Sequence, residues 1–232
     1  MTRSRAAVMP TRRALLQQNI TYDELGRLAT NYAARHLSSY EPHPALPMRL
    51  LSDVDAGEWC REHGLTVNDT LASGSVRFEG ASTRLRILVP PQAVEAIGLA
   101  FMLAMTEVPA FEEARFGGAL LWLRRWEIWS ESIDRAGYLL LEGLRAATNC
   151  SASFDAAPGH LFESGEFASA HAGLALPMLM QWDAHFIPSI GAYAAFISHE
   201  GHIDLFTRND RTQEDMARRF EKFTPELLPV LE

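Results

Sequence analysis

The stretch AHFIPSIGAYAAFISHEGHIDLFT, residues 184–207, decides the fold class of this chain. It contains three short apolar runs, separated by segments that carry Gly191 and Gly201. Short runs rich in aromatic and β-branched residues and bounded by turn residues are typical of β-strands. The stretch therefore predicts a C-terminal β-meander, in which consecutive strands pair with one another.

Outward from the meander, helical and strand patterns alternate irregularly along the chain. Segments 90–107 and 131–147 have helical periodicity, a third helix is predicted over 164–180 with a break near Pro177, and a closing helix begins at Thr212. Segment 75–90 predicts a hairpin. Segment 117–130 is apolar on both strand faces at its start, which is typical of an interior strand. The pattern predicts an α+β fold with a mixed or antiparallel sheet and helices packed on it.

The N-terminal region has a different character. Residues 1–10 are predicted to form a flexible basic tail, and residues 11–232 a single α+β domain. A helix over 21–37, a proline-rich linker over 38–47 and a helix capped by Ser52 indicate an N-terminal helical subregion, 11–64, within that domain.

Charge and composition exclude several classes of function. The formal net charge is −8, and the first 13 residues hold four arginines and no acid, so the rest of the chain carries −12. An acidic body repels phosphate backbones, which argues against nucleic acid as a partner. No apolar run approaches the ~20 residues that cross a bilayer. Two cysteines without metal-site spacing favour a reducing cytoplasm.

Residue usage also limits the chemistry. The only lysine, Lys222, lies in the polar segment RRFEKFTPE, so phosphate-loop, kinase-type and Schiff-base lysines are excluded. The chain has neither a G-x-S-x-G elbow nor a G-x-G-x-x-G fingerprint after a strand. We therefore predict no organic cofactor.

One group of residues points to chemistry. If Glu200 and Gly201 form a two-residue hairpin loop, His199 and His202 are a directly opposed cross-strand pair. Period two adds Asp204 to their face, and the preceding strand adds two more ligand-type residues. The candidate ligands for zinc or iron are His185, His199, His202 and Asp204, and the candidate acid–base residues are His199, Glu200 and Asp183. The favoured alternative is a polar hairpin with no site.

A second group lies on the segment GGALLWLRRWEIWS, residues 117–130. Tryptophan and arginine are enriched at interface hot spots, so a partner-binding surface is one hypothesis. Its members are Trp122, Arg124, Trp126 and Trp129. The favoured alternative is a core strand, because large aromatic side chains are most often buried.

These observations favour a non-enzymatic cytoplasmic protein that binds another protein, with an acidic surface for a basic partner. In size and charge, though in no motif, the chain resembles bacterial immunity proteins that neutralise toxins, or small adaptors. One alternative is a metal-dependent enzyme, such as a hydrolase, that uses the histidine and aspartate cluster. Another is a structural subunit of a larger assembly. Homo-oligomerisation is left open.

Overall fold

The description rests on a computed structural model and covers residues 48–68, 76–105, 118–125, 131–146, 152–189 and 191–230. Within these ranges the chain forms five α-helices, ten strands and one short 3₁₀ helix, Glu221–Phe223. The predicted tail over 1–10, the helix over 21–37 and the linker over 38–47 lie outside the described residues. None of the described helices is long and apolar enough to cross a membrane.

Eight of the strands form one antiparallel sheet, in the order β1-β6-β5-β7-β8-β9-β4-β10. Their bounds are β1 Arg49–Leu51, β4 Thr83–Leu88, β5 Gly118–Arg125, β6 Gly159–Glu163, β7 Asp183–Pro188, β8 Tyr193–Ser198, β9 His202–Thr207 and β10 Glu226–Pro229. The other two strands, β2 Leu65–Val67 and β3 Val76–Phe78, form a separate two-stranded sheet. The fold is therefore α+β, and the predicted C-terminal meander is confirmed as β7-β8-β9.

The five helices are α1 Asp53–Glu62, α2 Ala93–Ala104, α3 Glu131–Ala146, α4 Phe167–Met180 and α5 Asp210–Arg219. Two of them begin at side-chain caps. The Ser52 hydroxyl accepts a hydrogen bond from the Asp55 amide at 3.2 Å, and the Asn209 side chain accepts one from the Thr212 amide at 2.9 Å. Such caps satisfy amides that have no partner inside the helix, so they fix where α1 and α5 start.

Each face of the large sheet buries its own apolar cluster. We call the face that carries Leu121, Phe186 and Leu205 the helical face, because its cluster includes apolar side chains of α2, α3 and α4. We call the face that carries Trp122 and Ile187 the α1 face, because there the cluster includes α1 and the β2–β3 pair. The sheet is therefore a central layer between two packed layers.

The structure corrects two local predictions. The predicted hairpin over 75–90 is wrong: β3 pairs with β2, whereas β4 pairs with β9 and β10 in the large sheet. Helix α4 is also not interrupted at Pro177, which lies buried inside a helix that ends at Met180 and is followed by Gln181 in the left-handed conformation (φ 56°). Tertiary pairing and packing override the local signal in both places.

Candidate functional site

The β8–β9 turn differs from the predicted two-residue loop. Ser198 pairs with His202, so the loop has three residues, His199, Glu200 and Gly201. Gly201 takes a φ of +82°, which only glycine adopts readily, and its amide donates to the Ser198 carbonyl at 3.0 Å. His199 is thus a turn residue and not the cross-strand partner of His202.

The sheet nevertheless gathers most of the predicted residues on one face. Direct pairs in an antiparallel sheet point to the same side. His185 pairs with Phe196, and Phe196 with Asp204, so these three share the α1 face. Period two adds Asp183 and His202 to the same face. The four predicted side chains on it are buried: Asp183, His185, His202 and Asp204.

Asp204 is held by arginines of β4. Its side chain is fully buried, and Arg86 donates to both carboxylate oxygens, Nε to Oδ1 at 2.7 Å and Nη2 to Oδ2 at 2.9 Å. Arg84 places Nη1 3.4 Å from Oδ2. Hydrogen bonding to this carboxylate raises the pKa of Arg86. The carboxylate that the metal hypothesis needs is thus already bound to two cations.

His202 lies beside this ion cluster. Its Nε2 is 3.7 Å from Asp204 Oδ2, and its Nδ1 is 3.9 Å from Glu200 Oε2. Burial lowers the pKa of His202, the nearby Arg86 adds to that effect, and the Asp204 carboxylate opposes it. The Glu200 side chain is 70% exposed, so it lies at the outer edge of the cluster.

Asp183 and His199 form a second pair. The ring Nδ1 of His199 donates to Asp183 Oδ1 at 2.7 Å, and the His199 amide donates to the same oxygen at 2.9 Å. Asp183 is buried, whereas the His199 side chain is 27% exposed. The Asp183 carboxylate therefore accepts the proton on Nδ1 and fixes the orientation of a partly exposed imidazole.

His185 is set apart from both pairs. It is 1% exposed and lies among aromatic rings, with its centroid 5.1 Å from that of Phe196 and 6.3 Å from that of Trp122. Burial, assisted by the positive charge of Arg124, lowers the pKa of His185 to about 3. The residue is thus a neutral part of the core at neutral pH.

The predicted metal ligands do not converge. Among the described residues, no group of three or more histidine, cysteine, aspartate or glutamate side chains is arranged to hold a metal ion. His199 bonds to Asp183 and His202 lies beside Asp204, so the cluster divides into two separate pairs. The described side chains therefore do not fit a zinc or iron centre.

The predicted partner-binding residues divide between core and undescribed chain. Trp122 is 2% exposed, and its Nε1 donates to Asp53 Oδ1 at 2.7 Å. Arg124 lies over the Trp122 ring at 4.8 Å and donates to the Asn68 carbonyl at 3.2 Å. Trp122 is therefore buried and not presented at the surface. Trp126 and Trp129 lie outside the described residues.

Sequence reasoning missed the arginines of β4 and a serine beside the cluster. The alternation in TRLRIL, residues 83–88, already places Arg84 and Arg86 on one strand face. Which strand they meet depends on the pairing of β4 with β9, and that pairing has no local signal. The predicted two-residue turn would place Ser198 on the opposite, core face, whereas the three-residue turn pairs it with His202 on the α1 face.

No protein-family model, no curated protein and no solved structure matches this chain. Its function therefore has to be inferred from its own side chains.

Proposed function

We propose that the protein is a non-enzymatic cytoplasmic protein that binds a basic protein partner through an acidic surface. The observation that carries this proposal is the solvent face of α1. Asp55, Glu58 and Glu62 are exposed and fall within about 60° on a helical wheel, opposite the buried side of the helix. We call these three residues the acidic stripe.

The residues around the acidic stripe support the interpretation that this surface contacts another protein. Val54 flanks it and is 67% exposed, which supplies apolar area beside the charges. Arg61 is the only basic residue of α1. A surface of one charge sign attracts a partner of opposite charge and speeds the encounter, and this effect weakens with salt.

The predicted metal-ligand and acid–base residues on the α1 face support the binding-protein proposal, because they contact other side chains of the same chain. Asp204 binds Arg86, Asp183 binds His199, and His185 is enclosed by aromatic rings. These contacts are of the kind that stabilise a folded sheet. The carboxylates of the acidic stripe, in contrast, are exposed at the surface, where Asp55 Oδ2 accepts a hydrogen bond from the Ser52 hydroxyl at 2.7 Å.

Charge reversal tests the proposal. Candidate partners are captured at low salt by a chain that carries a photo-crosslinking residue at position 54, and their association rates are measured with the parent chain. Reversal of Asp55, Glu58 and Glu62 to lysine is expected to lower the association rate by about tenfold or more at low salt. High salt should remove most of that difference.

A matched control variant separates the effect of the acidic stripe on the association rate from the effect of the overall net charge. Glu95, Glu214 and Glu221 are exposed and lie outside α1, and their reversal to lysine changes the net charge by the same amount. The control variant is expected to keep most of the association rate. If both variants slow binding equally, or if no protein crosslinks from position 54, the proposal fails. A partner that stays bound at high salt would instead indicate a structural subunit of an assembly.

A second candidate is an enzyme that uses the Asp183–His199 pair. The observation in its favour is a partly exposed imidazole oriented by a buried carboxylate, which is the arrangement of a general acid–base residue. Because the described ligands do not fit a metal centre, we propose this alternative without a metal-dependent step.

A screen of hydrolase substrates distinguishes this enzyme hypothesis from the binding-protein proposal. Hydrolytic activity that is lost in His199→Asn but kept in His63→Asn would support it, since His63 is a half-buried histidine of α1's C-terminal end. Elemental analysis of both proteins shows whether metal contributes. Activity that His199→Asn retains, or no activity on any substrate tested, counts against the enzyme.

A further inference from the structure

Strand β10 lies at one end of the large sheet. Among the described residues it pairs only with β4, with Leu227 opposite Leu85 and Pro229 opposite Thr83. Glu226, Leu227 and Pro229 are exposed, and Leu227 is 55% exposed. An exposed strand at a sheet end is a template on which another extended chain can pair.

The direction of each main-chain N–H in β10 follows from one hydrogen bond. The Val230 amide donates to the Ser82 carbonyl at 2.9 Å, so the main-chain groups of Val230 face β4. Main-chain groups alternate in direction along a strand, so the amides of Leu228 and Glu226 also face β4. The amide of Leu227 faces away from the sheet.

Two prolines flank that single outward amide. Pro225 and Pro229 have no N–H, so between residues 225 and 229 Leu227 provides the only donor at the outer edge. An added antiparallel strand needs a donor at every second residue of its neighbour. Proline at this position therefore removes the donor that would continue the pairing.

We propose that β10 closes this end of the sheet to strand addition, and that Pro229 is the residue that prevents a second copy of the chain from pairing there. The exposed charge of Glu226 acts in the same direction, since charged side chains disfavour edge pairing. This inference does not depend on the acidic stripe. It means that no partner is recruited to this edge through main-chain hydrogen bonds.

Amide hydrogen exchange in the parent chain tests the orientation. The amides of Glu226, Leu228 and Val230 are expected to exchange slowly, and that of Leu227 about 100-fold faster than that of Leu228, because among the described residues Leu227 has no main-chain acceptor. Protection of Leu227 equal to that of Leu228 would show that another strand covers the edge, and would overturn the proposal.

A substitution tests the role of Pro229. Pro229→Val restores an outward N–H, and sedimentation over one concentration range is expected to show a higher average mass than the parent, from pairing of two copies. Leu227→Val is the matched control, since it adds valine to the same strand without a new donor. Equal masses for Pro229→Val and the parent would overturn the proposal. If circular dichroism shows that Pro229→Val does not fold, the exchange measurement decides.

Discussion

Two buried histidines should make the stability of this protein fall on mild acidification. His160 is fully buried and His185 is 1% exposed. Burial lowers the pKa of each to about 3, and the charge of Arg145 contributes at His160, where its Nη1 donates to the ring Nε2 at 3.2 Å. Both rings are therefore neutral in the folded protein, whereas in the unfolded chain they titrate near 6.5.

The sign and size of the effect follow from this difference in pKa. Below pH 6.5 the unfolded chain takes up protons that the folded protein does not, so stability is complete above pH 6.5 and falls as the pH drops toward 3. From pH 7 to pH 5 each histidine costs about 2 kcal/mol, and the pair about 4 kcal/mol. Typical domains have only about 5–15 kcal/mol in total.

Two other titratable groups change the size of this pH-dependent loss of stability. Burial lowers the pKa of His202, which adds to the loss, and burial raises the pKa of Glu166, which acts in the opposite direction as the pH falls. Urea unfolding at pH 7, 6 and 5, followed by tryptophan fluorescence, measures the free energy of unfolding at each pH. Equal values at pH 7 and pH 5 would refute the reasoning.

Two substitutions assign the effect to its residues. His185→Phe suits the aromatic surroundings of that ring, and His160→Gln keeps an acceptor for Arg145. Each is expected to remove about half of the loss between pH 7 and pH 5. A variant that keeps the full pH dependence of the parent would show that its histidine is not responsible.

Further outcomes are expected at four other residues. Asp204→Ala should lower the free energy of unfolding by about 3 kcal/mol, because it leaves two arginines of β4 without their buried carboxylate; a loss below about 1 kcal/mol in urea would contradict this. Gly137→Ala should destabilise by about 1–3 kcal/mol, because the new Cβ would lie 2.6 Å from a buried tryptophan ring. Gly143→Ala on the same helix, where the new Cβ would meet no described atom within 4 Å, should instead stabilise by about 1 kcal/mol, and thermal melts that rank the two equally would rule out the packing explanation. Burial raises the pKa of Cys60 to about 12, so peptide mapping after alkylation at pH 8 should find this thiol unmodified until urea unfolds the protein.

Much of the fold could be predicted because its elements have strong local patterns. The meander, α2 and α3 have strong apolar patterns, and Ser52 caps α1, as a serine followed by acidic residues in the first turn indicates. The interior place of β5, between β6 and β7, follows from apolar residues on both of its faces. The apolar spacing of α3 also predicts that Leu140 points inward, whereas the structure leaves this residue 43% exposed.

The remaining elements depend on contacts between distant parts of the chain. The pattern of β3 and β4 fits a hairpin, but Ile87 pairs with Ile203 and not with a residue of β3. Strand order is set by which pairing buries the most apolar surface, and period two alone cannot rank the alternatives. The short strands β1 and β2 also lack a pattern long enough to identify them.

In the candidate site too, local patterns predict some features, whereas others depend on contacts between distant parts of the chain. Alternation correctly placed His185, His202 and Asp204 on one face. One extra residue in the turn moved His199 out of the ladder, because a one-residue slip changes the face of every side chain in a strand. The arginines that neutralise Asp204 come from β4, so no local reading of the meander could reveal them.

The place of β4 in the sheet has a consequence for synthesis on the ribosome. Both of its neighbours, β9 and β10, follow it in the chain, and β9 begins 114 residues after β4 ends (88 to 202). At about 5–20 residues per second, β4 waits about 6–23 s with both edges unpaired. Its two arginines alternate with apolar residues, which discourages aggregation during that interval. We therefore expect Arg84 and Arg86 to disfavour aggregation of the nascent strand before they bind Asp204 in the finished sheet.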